Sequence, residues 1–181
     1  MAKPGRIRVH DKVFERSIDF HEIDAVIDRM AGELEKDIGE KNPLFLAILN
    51  GAFMFAADLL KKISFPCEIS FIKVASYAGT ESTQTVRQLV GLDEDISGRT
   101  VVILEDIVDS GLTIRDVLGL LKSKNAGEVR IATLLHKPEA FRGDYPIDYV
   151  GMEIPNDFIV GYGLDYNRHG RNYRDIYKIV E

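Results

Sequence analysis

Cysteine is nearly absent from this chain of 181 residues. With Cys67 alone no intrachain disulfide can form, and a reducing cytoplasm is the simplest compartment. No apolar run approaches the roughly 20 residues that a membrane span needs. The basic residues Lys3, Arg6 and Arg8 are not followed by the apolar core of a secretory leader, so neither a membrane nor export is expected. Positive charge is also in short supply: 23 Lys and Arg against 29 Asp and Glu leave a formal net charge of −6. Such a chain offers no general surface to nucleic acid or anionic lipid, and any phosphate it binds must be held locally. Two nucleotide-binding signatures are missing as well, the P-loop G-x-x-x-x-G-K-[ST] and the dinucleotide fingerprint. There is no internal repeat, low-complexity tract or linker. A composition of 45% hydrophobic and 29% charged residues fits one soluble domain over residues 1–181 with a single core.

What is present centres on Val101-Val102-Ile103-Leu104-Glu105-Asp106-Ile107-Val108-Asp109-Ser110-Gly111-Leu112-Thr113. The apolar, mostly β-branched start predicts a strand buried on both faces, as in a parallel sheet, and the two carboxylates are expected to end it. Asp109 to Thr113 then leads into a helical apolar stripe of Ile114, Val117, Leu118 and Leu121. A helix N-terminus there supplies unpaired amides and the positive end of the helix dipole, with Ser110 and Thr113 as added donors, and so suits a phosphate. Glu105 and Asp106 repel phosphate but accept hydrogen bonds, which suits ribose hydroxyls or a bridged Mg²⁺. Taken singly, these residues read as a solvated turn and a helix cap. Their grouping within nine positions favours a ribose 5-phosphate cradle, with a phosphoacceptor signalling domain as the weaker alternative on fold analogy.

Along the chain, Val13–Ile18 predicts a short strand, Asp19 with Glu22 a capping box, and Ile23, Ile27, Met30, Leu34 and Ile38 the buried stripe of a helix. His21 falls at its exposed start. After Asn42-Pro43, Leu44–Leu49 is a wholly apolar strand. Asn50-Gly51 then leads to a second helix, a second and weaker anion site. Glu68–Val74 predicts another strand, beginning beside Cys67 as a small core residue; 76–85 predicts a long loop, 86–92 an extended return and 93–98 a solvated turn. Asn125-Ala126-Gly127 stops the third helix, and Val129–Leu135 is a strand with Lys137 just past its end. Ligands gather at the carboxyl ends of strands in such sheets, which places Lys137 on one edge with Glu105 and Gly51. Tyr149–Ile154, Phe158–Gly163 and Ile176–Val180 are further extended segments.

These residues resemble the type I phosphoribosyltransferases closely. The run from Val101 to Thr113 looks like their phosphoribosyl pyrophosphate motif, while Lys137, Phe158-Ile159-Val160-Gly161-Tyr162 and Leu164-Asp165-Tyr166-Asn167 are similar to the hypoxanthine-guanine branch. The resemblance runs from about Val13 onward. It implies an α/β fold, a mostly parallel sheet flanked by helices, with a small hood from the terminal segments. It also implies transfer of a phosphoribosyl group from phosphoribosyl pyrophosphate to a 6-oxopurine, with Mg²⁺ as cofactor and a homodimer or homotetramer as the assembly. By the same resemblance Glu105 and Asp106 hold the ribose, Asp109-Ser110-Gly111-Leu112-Thr113 holds the 5-phosphate, and Asp109 is the catalytic proton acceptor facing purine N7. Lys137 donates to the C6 oxygen, Phe158 stacks on the base and the Ile159 backbone meets its edge. Asp165 lies beside the purine and ligates Mg²⁺, with Glu105 and Asp106 as further metal-side carboxylates. Leu49-Asn50-Gly51 and Arg171 take the pyrophosphate, and Ser76 and Tyr77 open a lid. Two residues depart from the family pattern: Asn50 stands where Lys is common, and Leu112 where a polar or basic residue is. The rival expectation is a non-catalytic nucleotide- or RNA-binding regulator on the same fold, against which the net charge and the retained Asp109, Lys137 and Asp165 count.

Overall fold

The computed structural model describes residues 5–75 and 87–180. The two lid residues, Ser76 and Tyr77, and the whole of the 76–85 loop therefore lie outside the described residues. The capping box forms as expected: the Asp19 carboxylate accepts from the His21 and Glu22 amides, and the Glu22 side chain accepts from the Asp19 amide. Helix α1, Phe20–Ile38, follows and buries Ile23, Ile27, Met30, Leu34 and Ile38. Its end comes at Gly39, ahead of the Asn42-Pro43 break. Strand β3, Leu44–Ile48, has every side chain buried and feeds helix α2, Phe53–Lys62. The remaining core elements are β4 (Glu68–Ala75), β5 (Arg87–Val90), β6 (Val101–Val108), helix α3 (Leu112–Ser123), β7 (Val129–His136) and β8 (Tyr149–Glu153).

These strands form a sheet in the order β5-β4-β3-β6-β7-β8, in which β4, β3, β6, β7 and β8 run parallel and β5 returns antiparallel at the edge. Side chains of α1 and α2 pack on one face, while those of α3 pack on the other with Leu92 and Ile96. The expected fold class is borne out. From β3 the chain goes first to β4 on one side and later to β6 on the other. The crevice outside the carboxyl ends of β3 and β6 is thus the topological switch point, where ligands of open α/β sheets bind.

A second, antiparallel sheet of β1 (Arg6–Val9), β2 (Lys12–Ile18), β10 (Ile176–Ile179) and β9 (Ile159–Val160) is the hood, ordered β1-β2-β10-β9. It has its own small core of Val9, Phe14 and Val160. The Phe20 amide donates to Asp175 Oδ1 at 2.9 Å, tying the start of α1 to the loop before β10.

Two expectations need correction. Glu105 and Asp106 do not end their strand; β6 runs on to Val108, and both carboxylates sit inside it, each 8% exposed. The 93–98 turn is not simply solvated either, since Ile96 is buried in the core and Glu94 accepts a hydrogen bond from Ser70 at 3.0 Å. Cys67 is half-buried against the α1–α2 core.

Candidate active site

The site begins with the buried acidic pair. Burial raises the Glu105 carboxyl well above the usual carboxylate range, and the neighbouring Asp106 charge adds to the effect. Glu105 Oε2 has no hydrogen-bond partner. Asp106 is pushed up to about 6, again chiefly by burial and also by Asp165, against amide hydrogen bonds and the Arg171 charge that pull it down. An acceptor held dry without a donor costs several kcal/mol by order of magnitude, so the pair awaits ligand hydroxyls or a cation.

Past these carboxylates, Asp109 and Ser110 do not cap the next helix. The N-cap of α3 is Gly111, in the left-handed region at φ 84°, which has no side chain of its own to bond the helix end. The one side-chain contact is a long hydrogen bond from the Leu112 amide to Ser110 Oγ at 3.5 Å, weak enough for an anion to displace. The amides of the first turn are consequently open to an anion. Residues Glu105 and Ile107 to Ile114 enclose a concavity of about 80 Å³ between this helix end and the acidic floor.

Gly51 shows why the turn after β3 needs glycine: a Cβ there would lie 1.8 Å from Asp106 Oδ2. Gly163, at φ 95°, is pressed in turn against the Gly51 carbonyl, which a Cβ would approach to 2.1 Å. The Leu49–Asn50 peptide in this turn is cis. Asn50 is exposed and Leu49 half-buried. Arg171 bridges the Gly163 carbonyl and the Asp165 carboxylate, whose second oxygen accepts from the Arg168 amide at 2.6 Å. The structure therefore brings Asp106, Gly51, Asp165 and Arg171 into one group across the switch point.

Lys137 follows β7, is 7% exposed and places Nζ 3.1 Å from Asp109 Oδ2. Phe158 is 45% exposed, its ring flanked edge-on by Tyr166 at 5.7 Å between centroids. Ile159 buries its side chain, but its backbone is placed otherwise. The Phe158 carbonyl accepts from the Ile179 amide, and Val160 pairs with Tyr177. Polar groups alternate in direction along an antiparallel strand, so those of Ile159 point away from β10, to the open edge of the hood. Among the described residues no three His, Cys, Asp or Glu side chains converge as a metal cage.

Residues 19–167 match the family model described as "Phosphoribosyl transferase domain". The chain belongs to that family. It is 47% identical over 134 residues to a hypoxanthine-guanine phosphoribosyltransferase of Mycobacterium bovis, covering 74% of this chain and 65% of that relative. It is 43% identical over 145 residues to one of Streptococcus pyogenes, covering 80% and 81%. A solved hypoxanthine-guanine phosphoribosyltransferase of Bacillus anthracis superposes with a TM-score of 0.86 at 35% identity, over 92% of this chain and 98% of that one. A hypoxanthine phosphoribosyltransferase of Staphylococcus aureus gives 0.86 at 36%, over 92% and 91%.

Some residues of this phosphoribosyltransferase site escaped the sequence reading. Gly163 was one; its signal is the Gly161-x-Gly163 spacing inside an otherwise apolar run, which marks a positive φ or a tight backbone approach. Phe141 and Tyr145 were others. They flank Gly143 in the connection from β7 to β8 and pack edge-on at 5.4 Å, directly over Gly111. An i, i+4 aromatic pair in a segment rich in Pro, Gly and charge carries no local signature of what it covers.

Proposed function

We propose that this chain transfers the 5-phosphoribosyl group of phosphoribosyl pyrophosphate to N9 of a 6-oxopurine, releasing pyrophosphate and forming a nucleoside monophosphate for purine salvage. One observation carries the reading: the buried Glu105 carboxylate, with an unpartnered oxygen, shares one concavity with an uncapped helix N-terminus, and the buried Asp106 is the next residue of the same strand. The carboxylates need hydroxyl donors and the helix end an anion, and a ribose 5-phosphate supplies both. The relatives' names support the same base class.

In this reading Glu105 and Asp106 accept from the ribose hydroxyls, while the amides and hydroxyls of residues 109–113 hold the 5-phosphate. Lys137 donates to the C6 oxygen of the base and discriminates against adenine, whose amino group would leave two donors facing each other. Phe158 lends an exposed ring to the base, and the Ile159 backbone edge offers hydrogen bonds to its pyrimidine side. As the bond from ribose C1 to pyrophosphate breaks, positive charge grows on the ring and N9 forms the new bond. Asp109 accepts the proton that the base gives up. Arg171 and the Leu49-Asn50-Gly51 amides stabilise the departing pyrophosphate. Asn50 brings no cation there, so the backbone carries that contact.

The donors fit Mg²⁺: Glu105, Asp106 and Asp165 would offer it carboxylate oxygens, and Glu105 Oε2 has no hydrogen-bond partner of its own. Because the described side chains form no closed cage, the ion would rest on one or two of these carboxylates and on substrate oxygens. When bound it would neutralise charge on the leaving pyrophosphate.

We also read residues 1–181 as one domain that self-associates as a homodimer or homotetramer. Ile69 and Phe71 alternate on the outer face of β4 and remain 36% and 39% exposed, with Phe53 of α2 at 41%. Exposed large apolar side chains, two of them on one strand face, favour burial against a second copy. The deciding assay supplies phosphoribosyl pyrophosphate and Mg²⁺ with hypoxanthine, guanine, xanthine or adenine and follows nucleotide formation. Product from a 6-oxopurine and none from adenine is expected; no product from any 6-oxopurine overturns the reading.

A further inference from the structure

Parallel strands β7 and β8 are joined without a helix, and residues 137–148 instead fold back as a strap over the phosphate loop. The Lys137 amide donates to the Val108 carbonyl at 2.9 Å and the Arg142 amide to the Ser110 carbonyl at 3.2 Å. At the centre, Tyr145 Oη donates to the Gly111 carbonyl at 2.5 Å. Glycines make room for this seat. A Cβ on Gly111 would lie 2.5 Å from Tyr145 Oη and 2.7 Å from the Phe141 ring, and one on Gly143 would lie 2.4 Å from Phe141. Behind them the His136 ring stacks edge-on against Phe141 at 5.3 Å.

The consequence follows from peptide geometry. In a trans peptide the carbonyl and the next amide lie in one plane and point in opposite directions. The Gly111 carbonyl also accepts the Arg115 amide at 3.1 Å, the first bond of α3, so helix and strap hold it together, with Tyr145 as the shorter contact, and aim the Leu112 N–H the opposite way, out of the helix end towards the cradle. Hydrogen bonding to the carbonyl also polarises the peptide and strengthens the N–H as a donor. Leu112 is where this chain most needs that help, because its side chain is apolar and 51% exposed, leaving the amide as all it can offer an anion.

We propose that Tyr145 is a positioning residue for the 5-phosphate, its hydroxyl orienting and polarising the Leu112 amide through the Gly111 carbonyl. The proposal rests on the phosphoribosyl-transfer reading above. The phenol stays a donor at neutral pH: burial first, and then the Glu105 charge, push it up to about 12.

Tyr145→Phe tests this by deleting the hydroxyl and keeping the ring in its packing. We expect the KM for phosphoribosyl pyrophosphate and the calorimetric Kd for inosine monophosphate each to rise about five- to tenfold, the scale of one lost hydrogen bond. The KM for hypoxanthine, kcat and Tm should stay near wild type. A hydroxyl that served folding alone would lower Tm without separating the two KM values, and that result overturns the proposal. So does an equal rise in both KM values, or an unchanged Kd for inosine monophosphate. Absence of turnover in the wild type would instead refute the transfer reading, whereas a wild type that turns over with an unaffected Tyr145→Phe refutes only the role of Tyr145.

Discussion

Asp109 and Asp106 are both aspartates within four residues, and their surroundings assign them opposite work. Asp109 is exposed and held by Lys137 at 3.1 Å, at the rim where a base would lie. As a proton acceptor it should be needed for turnover more than for binding. Asp109→Asn is expected to lower kcat by about 10²-fold or more while changing the Kd for phosphoribosyl pyrophosphate little; equal losses in both would make it a binding residue. Asp106 is buried, and its folded carboxyl, at about 6, holds a proton more tightly than the unfolded chain does. The stability this contributes is complete below the unfolded value, near 4, and is lost as pH rises through about 6. The loss is on the order of 3 kcal/mol for two pH units. Asp106→Asn removes that titration. In thermal melts of the ligand-free protein its Tm advantage over wild type should be larger at pH 8 than at pH 5, while ribose binding is impaired. An advantage independent of pH would place the cost elsewhere than in the buried charge.

At the level of elements, the turn after β3 matters because two other segments lean on it. Gly51→Ala puts a Cβ 1.8 Å from Asp106 Oδ2, so either the carboxylate or the turn must shift. Overpacking of this kind costs roughly 1–3 kcal/mol, and a displacement of about 1 Å at a reacting centre can cost about 10²-fold in kcat/KM. Gly119→Ala is the control. That glycine is exposed in α3 with nothing within 4 Å of a Cβ, and alanine there should stabilise by about 0.5–1 kcal/mol with activity unchanged. Chemical denaturation of both variants beside their steady-state rates checks the contrast. The elements were largely legible in the sequence, since Asp19 with Glu22 announces a cap and an unbroken apolar run announces β3. The reach of β6 was not: a Glu-Asp pair ordinarily marks a strand's exit, and only the covering of Gly51 and the 137–148 strap turns it into buried strand.

For the whole molecule, the exposed Ile69, Phe71 and Phe53 predict association. Light scattering should give two or four times the 20.3 kDa chain mass, and Phe71→Asp should shift it downward; a wild type that stays at one chain mass would refute the assembly. What the sequence by itself determined is what neighbours along the chain can encode: the periodicity of each helix and strand, the caps, and the motif residues at the carboxyl ends of β3, β6 and β7. That was enough for the α/β class and for naming candidate residues that the fold gathers at the switch point. Only the tertiary structure decided that Gly163 presses on Gly51, that Arg171 joins Asp165 beside Asp106, and that Tyr145 holds the Gly111 carbonyl. Apart from Arg171 and Asp165, these groups are separated by tens of residues to more than a hundred along the chain. Burial and register meet there through packing, which leaves no periodic trace in any one segment.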